Sequence, residues 1–324
     1  MKELTSKKVL VSIIIVVSFS AGIIANKLFS KPVIIKNTVL REGGYKYINP
    51  LLLCNINNNN PYNENVGLTD ALNAYSANHK DNEMSVYFLN LATGEWSSLN
   101  EEKTYSPASM MKVPTTMETL KYSELHPDIL TQPVYYDGSF DNNKNEYFKP
   151  EKSIAANRSY TVDELLTYIV DYSDNNALNL LHNTLKPQSF EKLYQDLHIE
   201  IPTNLLDFMT VRTYTSFLRV LYNSTYLSRD NSEKMVEMMS YSDFPNGLRA
   251  GVPSNIEVSQ KFGERQVLTP EGKLTERELH DCGIVYPPNN QPYSICIMTR
   301  GKDFDSMAGN IKDISKITYD YINK

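Results

Sequence analysis

The pattern of apolar and polar positions divides this chain into a short apolar head and a long mixed body. Residues 9–25 (VLVSIIIVVSFSAGIIA) form a run of 17 residues without a charge, with Lys7 and Lys8 before it and Lys27 after it. A helix of that length rises about 25 Å, near the short limit for crossing a bilayer. No polar face interrupts the run, which argues against a core helix. Only Ser20-Ala21-Gly22 offers a weak cleavage site, so the pattern predicts an uncleaved membrane anchor rather than a signal peptide. No cysteine closely follows the run, so a lipid anchor is not expected. Lysines flank both sides equally, and the positive-inside rule leaves the orientation open.

Beyond the head, residues 26–62 read as a stalk, with the asparagine-rich run 55–65 (NINNNNPYNEN) as a loop. Apolar residues near helical spacing predict a helix over 68–80, and residues 84–91 (MSVYFLNL) predict a strand turning through NLATGE into a second strand, EWSSL. The sequence T-V-D-E beginning at Thr161 is a capping box, and Thr210 or Asn204 is placed to cap a helix through TSFLRVLYN. CGIVY (282–286) and YSICIMT (293–299) read as buried strands, and a helix near 311–322 closes the chain. Strands at both ends with helices between them predict a mixed α/β (α+β) domain with an antiparallel sheet. The expected divisions are 1–36 for a cytoplasmic stub and anchor, 37–66 for a stalk, and 67–324 for a catalytic domain. No internal repeat is visible.

Charge sharpens this division. The first 36 residues carry six lysines and one acid, a net +5, which leaves −11 on the remaining 288 residues. A basic apolar head on an acidic body suits a membrane-addressed protein with a soluble domain, and the net charge argues against a general nucleic-acid binder. At 41% hydrophobic and 22% charged residues the chain has enough apolar material for a normal core, so wholesale disorder is excluded. Three cysteines are too few for a disulfide scaffold. Cys282 and Cys296 fall in the two adjacent predicted strands, and Cys54 falls in the stalk, where it is free or links two chains.

Three short segments carry candidate chemistry. In SPASMMKVPT, Ser109 and Lys112 are three residues apart and share a helix face. A serine hydroxyl needs a base, and a lysine neutralised by burial or a neighbouring cation can serve. The same spacing recurs at Ser189 and Lys192, which reads as a solvated helix face; Pro107 and Ala108 before the first copy, and the apolar helix start after it, favour the first. Ser173-Asp174-Asn175 alone reads most simply as a helix cap. Lys261-Phe262-Gly263 alone is a strand ending in a turn. The five histidines (79, 126, 182, 198, 280) show no metal-ligand spacing and read as structural or surface residues.

Taken in order, the three segments resemble the S-x-x-K, S-D-N and K-[ST]-G elements of serine β-lactamases and penicillin-binding proteins, most closely those of class A β-lactamases. The flanks SDNNALNLL, GLRAGVPSNIEVSQKFGE and DCGIVYPPNNQPYSICIMTRG extend the resemblance over roughly residues 84–324. It implies the serine β-lactamase/DD-peptidase fold, with a sheet flanked by helices and a mostly helical subdomain. It implies that Ser109 forms an acyl-enzyme, that Lys112 takes or relays its proton, and that Ser173 passes a proton to the leaving nitrogen. Asn175 would hold Lys112 and the substrate amide. Lys261 would keep Lys112 deprotonated and attract a substrate carboxylate. Gly263 would precede an oxyanion hole formed by the backbone N–H groups of Ser109 and Glu264. The implied substrate is a β-lactam or related cell-wall peptide, with no metal or organic cofactor and a monomeric chain. In the family's hairpin, Cys282 and Cys296 are expected as buried free thiols.

Two departures stand out. Phe262 replaces the Ser or Thr of the third element, so a hydroxyl is missing and the cleft is expected to narrow; Arg265 or Arg300 is a candidate to compensate. The E-x-x-L-N element that supplies a deacylating glutamate is not found. HIEIPTNLLDFMT is shorter than the family's omega loop, with Glu200 and Asp207 its only carboxylates. Three readings follow: a β-lactam hydrolase, a penicillin-binding-protein-like DD-peptidase with slow deacylation, and a non-catalytic peptidoglycan-binding envelope protein. Retention of Ser109, Lys112, Ser173, Asn175 and Lys261 argues against the last. A glutaminase of related fold is disfavoured by the S-D-N sequence and the anchor.

Overall fold

The computed structural model describes residues 38–55, 63–185, 190–200, 206–289 and 291–324. The proposed anchor at 9–25 lies outside them, as do Asn204 and Ser189. Among the described residues no helix is long and apolar enough to cross a membrane.

In chain order, β1 (Thr38–Arg41) and β2 (Leu51–Asn55) form a two-stranded ribbon. Helix α1 (Val66–Asn78) leads into the hairpin β3 (Glu83–Asn90) and β4 (Trp96–Leu99). A 3₁₀ turn, Ala108–Met111, runs straight into α2 (Lys112–Ser123). A second ribbon, β5 (Pro133–Tyr136) and β6 (Arg158–Thr161), precedes the helices α3 (Val162–Asp171), α4 (Asn175–Thr184), α5 (Phe190–Asp196), α6 (Val211–Tyr222) and α7 (Arg229–Ser240). The chain ends in β7 (Glu257–Leu268), β8 (Leu274–Tyr286), β9 (Tyr293–Gly301) and α8 (Phe304–Ile322).

The five main strands form an antiparallel sheet in the order β4-β3-β9-β8-β7. Side chains alternate across it with period two. Val86, Phe88, Val258, Phe262, Ile295 and Ile297 join Leu68 and Leu72 of α1 and Met307, Ile311 and Ile314 of α8 in one core. Cys282, Ile284, Cys296 and Met298 face the opposite way, into a larger core built from α2 to α7. The central strand β9 is buried on both faces, which is why it reads in the sequence as a continuous apolar run.

The local signals are met where they were read. Thr161 and Glu164 form the capping box of α3, and Thr210 caps α6 through the Thr213 N–H at 3.0 Å. Two features differ from expectation. Residues 45–50, within the segment read as a stalk, pack on the domain. Tyr47 and Ile48 are buried in the larger core, and the Glu233 carboxylate accepts the N–H groups of Lys46, Tyr47 and Ile48. Cys282 and Cys296 sit directly opposite each other in the β8–β9 register and form a disulfide, so the expectation of free thiols is corrected. The antiparallel register sets the two residues side by side, with their Cα atoms 4.0 Å apart.

Candidate active site

The 3₁₀ turn that carries Ser109 is held from three sides. Buried His280 donates from Nε2 to the Ser106 carbonyl at 2.9 Å, a tautomer fixed by the Thr299 N–H on its Nδ1. Burial lowers the His280 pKa to about 4, so the ring is neutral and structural, as the sequence suggested. Tyr214 donates to the Met110 carbonyl at 3.2 Å. From the third side comes β7: a Cβ built on Gly263 would lie 2.8 Å from the Pro107 carbonyl oxygen and 3.0 Å from the Met110 nitrogen. Only glycine lets the edge strand come this near the serine turn. Ala108, just before the serine, has φ +47°, and Ser173 has φ +54°. Left-handed backbone at two non-glycine residues costs about 1–3 kcal/mol each and collects at functional sites.

Across the cleft, Asp174 caps α4 and anchors the S-D-N turn. Its buried carboxylate accepts from Asn176 N, Asn143 Nδ2, Ser153 Oγ and Ile154 N at 2.7–3.0 Å. The helix-cap reading of this triplet is met by Asp174. With Asp174 turned into the protein, Ser173 and Asn175 face Lys112.

Lys112 is 1% exposed. Its Nζ lies 2.8 Å from Ser109 Oγ, 2.7 Å from the Ser173 carbonyl, 3.1 Å from Ser173 Oγ and 2.6 Å from Asn175 Oδ1. The carbonyl and the amide oxygen can only accept, so they take two N–H groups. In a neutral amine the remaining valence is a lone pair, and Ser109 Oγ is placed to donate to it. Burial pushes the Lys112 pKa well below its ordinary value, and the Lys261 ammonium pushes it further. Lys261, also fully buried, donates to Ser173 Oγ at 2.9 Å and to the Phe262 carbonyl at 3.0 Å. Burial lowers its pKa to about 8, with Asp243, Asp281, Glu146 and Glu264 opposing, so it remains mostly charged at neutral pH.

The structure thus brings Ser109, Lys112, Ser173, Asn175 and Lys261 into one hydrogen-bonded chain, with Gly263 against the serine turn. The remaining residues singled out from sequence fall elsewhere. Phe262, 4% exposed, stacks on Phe244 with ring centroids 4.3 Å apart, and Lys261 Nζ lies 4.3 Å from the centre of its ring; the expectation that it narrows the cleft is corrected, because the ring is packed in the core beneath that lysine. Arg265 and Arg300 both pair with Asp207 at 2.9 Å, and Arg300 also pairs with buried Glu278 at 2.6 Å. Those arginines are committed to ion pairs, and so is Asp207. Glu200 is exposed. In the second S-x-x-K copy, Lys192 is an exposed partner of Asp196.

Sequence reasoning missed Glu146 and Asn143. Asn143 accepts the Asn175 N–H at 2.9 Å, and Glu146 Oε1 accepts from Asn175 Nδ2 at 2.7 Å. Both lie in DNNKNEYF (141–148), whose polar composition signals only a loop.

A family model described as the beta-lactamase enzyme family matches residues 67–322. The chain belongs to that family. Beta-lactamase 3 of Bacillus cereus is 24% identical over 253 residues, 72% of this chain and 75% of that one. Among solved structures, a PBP-A mutant in an acyl-enzyme complex with penicillin G superposes with a TM-score of 0.69 at 17% identity, over 82% of this chain and 99% of that one. A class A beta-lactamase from Mycobacterium abscessus gives 0.65 at 19% identity, over 79% and 100%. The fold is the class A β-lactamase fold, and the protein is a class A β-lactamase-like serine hydrolase.

Proposed function

We propose that Ser109 is the nucleophile and that the protein forms an acyl-enzyme with β-lactams and with D-alanyl-D-alanine-type cell-wall peptides, deacylating slowly. The observation that carries this reading is the four-partner environment of Lys112. Two acceptor-only oxygens take the N–H groups of a neutral amine and leave its lone pair for the serine proton. As Ser109 Oγ attacks the acyl carbon, its proton passes to Lys112. Ser173 Oγ, 3.1 Å from Lys112 Nζ, returns it to the leaving nitrogen. Lys261 keeps Lys112 neutral and fixes the Ser173 hydroxyl by donating to its oxygen. The backbone N–H groups of Ser109 and Glu264 receive the developing oxyanion; each such donor is worth about 3 kcal/mol of barrier. General-base assistance of this kind contributes roughly 10²–10⁴-fold.

Slow deacylation is favoured by Asp207, whose carboxylate is held by two arginines, and by exposed Glu200. Neither is disposed to activate a water beside Ser109. We further propose that residues 1–36 anchor the chain and that the catalytic domain faces outward. The charge-free run 9–25 supports this, and so does the Cys282–Cys296 disulfide, because disulfides persist in oxidising compartments. The test is intact-mass measurement of the chain with a penicillin. An adduct present in the native chain and absent in Ser109→Ala supports the reading. Adduct formation at any other residue, or none with several β-lactams and depsipeptides, overturns it in favour of a binding role.

A further inference from the structure

Behind the hydrogen-bonded chain of the site lies a junction that the acylation chemistry does not use. Residues 240–244 link α7 to the segment before β7, and side chains pin them to that strand on both sides of Asp243. Arg249 donates to the carbonyls of Ser240 at 2.7 Å, Ser242 at 3.1 Å and Val258, on β7, at 3.0 Å. Gln260 donates to the Phe244 carbonyl at 2.5 Å, and the Phe244 ring stacks on Phe262. In the other direction, the Asp243 N–H donates to the carbonyl of Asp171, the last residue of α3, at 2.9 Å. Ser173, two residues further on, accepts from Lys261 at 2.9 Å. Asp243 thus joins the S-D-N loop to the strand that carries Lys261.

The same residue faces Lys261 with a charge. Lys261 is fully buried, and its two hydrogen bonds go to a hydroxyl oxygen and a carbonyl, neither of them an anion. The acids that act on it are Asp243, the strongest, then Asp281 on β8, Glu146 on the 141–148 segment and Glu264 on β7. Burial pushes Asp281 and Glu264 up to about 7, so both are partly protonated at neutral pH, and Glu146 accepts from Asn175. The half-buried Asp243 carboxylate accepts the Glu151 N–H at 2.8 Å, which with Lys261 opposes the upward pull of burial on it. Asp243 also acts on Lys112. On its other side lies Asp171, 5% exposed, pushed up to about 7 by burial and then by Asp243 and Glu237, with Lys152 opposing. Among the described residues the Asp171 Oδ1 has no hydrogen-bond partner, as suits a carboxyl that gives up its charge to its neighbour.

Resting on the acyl-enzyme reading above, we infer that Asp243 is a positioning residue for acylation: its backbone fixes the S-D-N loop against β7, and its carboxylate is the counter-charge that keeps Lys261 an ammonium. Without that charge the buried lysine gives up its proton more readily, by about one pH unit. A neutral Lys261 no longer holds Lys112 deprotonated, and a protonated Lys112 cannot take the Ser109 proton. Asp243 touches neither the serine nor an acyl donor; it acts through Lys261.

The experiment measures the acylation rate of the full chain by benzylpenicillin, by intact mass, from pH 5 to pH 9.5. Asp243→Asn keeps the backbone N–H and an oxygen for Glu151 and removes only the charge. Its alkaline limb is expected about one unit below that of the native chain, a loss of about fivefold at pH 8 and less than about twofold at pH 6. Asp243→Glu, which restores the charge, should return the limb towards the native position. Asp171→Asn, which removes a buried acid from the same junction without removing the counter-charge, should leave the limb in place. A loss of rate in Asp243→Asn that is equal at pH 6 and pH 8, or the same shift in Asp171→Asn, overturns the role while leaving the Ser109 acyl-enzyme intact. If Asp243→Asn does not fold, the native chain decides: with carboxyl-labelled aspartate, the Asp243 carbon resonance should inflect near pH 8 as Lys261 loses its proton, and no inflection there overturns the pairing. No adduct at any pH overturns the acyl-enzyme reading and the role in acylation with it.

Discussion

Gly263→Ala tests whether the approach of β7 to the serine turn is what builds this site. The added Cβ would lie 2.8 Å from the Pro107 carbonyl oxygen, about 0.6 Å inside the 3.4 Å where ordinary contact begins, with Met110 Cγ and N both at 3.0 Å. Two of these three atoms are backbone, so a side-chain rotation cannot relieve the clash. Overpacking of this kind costs about 1–3 kcal/mol. Replacing glycine in a strand returns about 0.5–1 kcal/mol of conformational entropy. The net is a destabilisation of about 1–2 kcal/mol, or a fall in Tm of about 2–8 °C for a domain of this size. Separating β7 from the turn by about half an ångström misplaces Ser109 relative to the β7 backbone, and an error of that order costs roughly tenfold in rate. Thermal unfolding followed by circular dichroism gives the first quantity, and stopped-flow acylation by a fluorescent penicillin gives the second. An unchanged Tm together with an acylation rate within about twofold of native would refute the claim that this contact positions the nucleophile.

Three further outcomes follow from the buried groups. Lys261 loses its proton in the folded state near pH 8, so the acylation rate should fall above about pH 8; Lys261→Arg, if it retains activity, should carry that limb to higher pH, and a pH profile of the acylation rate checks both. Buried Asp281 has its pKa raised to about 7 by desolvation, against 3.8 ordinarily. Between those values the folded chain holds a proton that the unfolded chain has released, so this contribution to stability is full below pH 4 and is lost as pH rises through 7. Asp281→Asn, which keeps an oxygen for the Leu248 N–H, should therefore gain stability over native at pH 8 relative to pH 5 in denaturant melts. Replacing both Cys282 and Cys296 with alanine removes a cross-link spanning 14 residues and should cost about 2–4 kcal/mol, seen as a lower Tm that no longer responds to reductant.

Much of the domain was legible because local chemistry and global fold agree. The capping box at Thr161, the alternating β3 strand and the doubly buried β9 each carry the signature of the environment they occupy. The serine–lysine pair was legible for the same reason, since one helical turn suffices to bring Lys112 to Ser109. What the sequence hid are contacts made at long range. Glu146 meets Asn175 across 29 residues and Glu264 meets Tyr147 across 117, and nothing in DNNKNEYF marks an acid that closes on an active site. Phe262 looked like an intrusion because residue spacing does not tell which face of an edge strand a ring will take. The cysteine pairing depended on strand register, which the loop PPNNQP between the two strands does not fix by composition alone. Residues 45–50 read as a stalk because their burial is set by the Glu233 carboxylate on a distant helix.

The central claim is a lysine-activated Ser109 that acylates readily and is released slowly. Its most direct test mixes the full chain with a penicillin, follows intact mass against time, and maps the modified peptide. The account predicts an adduct of the penicillin's full mass on Ser109 that persists over many minutes, and none on Ser109→Ala. Rapid return to the unmodified mass with the penicillin consumed would contradict slow release, and an adduct that survives Ser109→Ala would contradict the nucleophile itself.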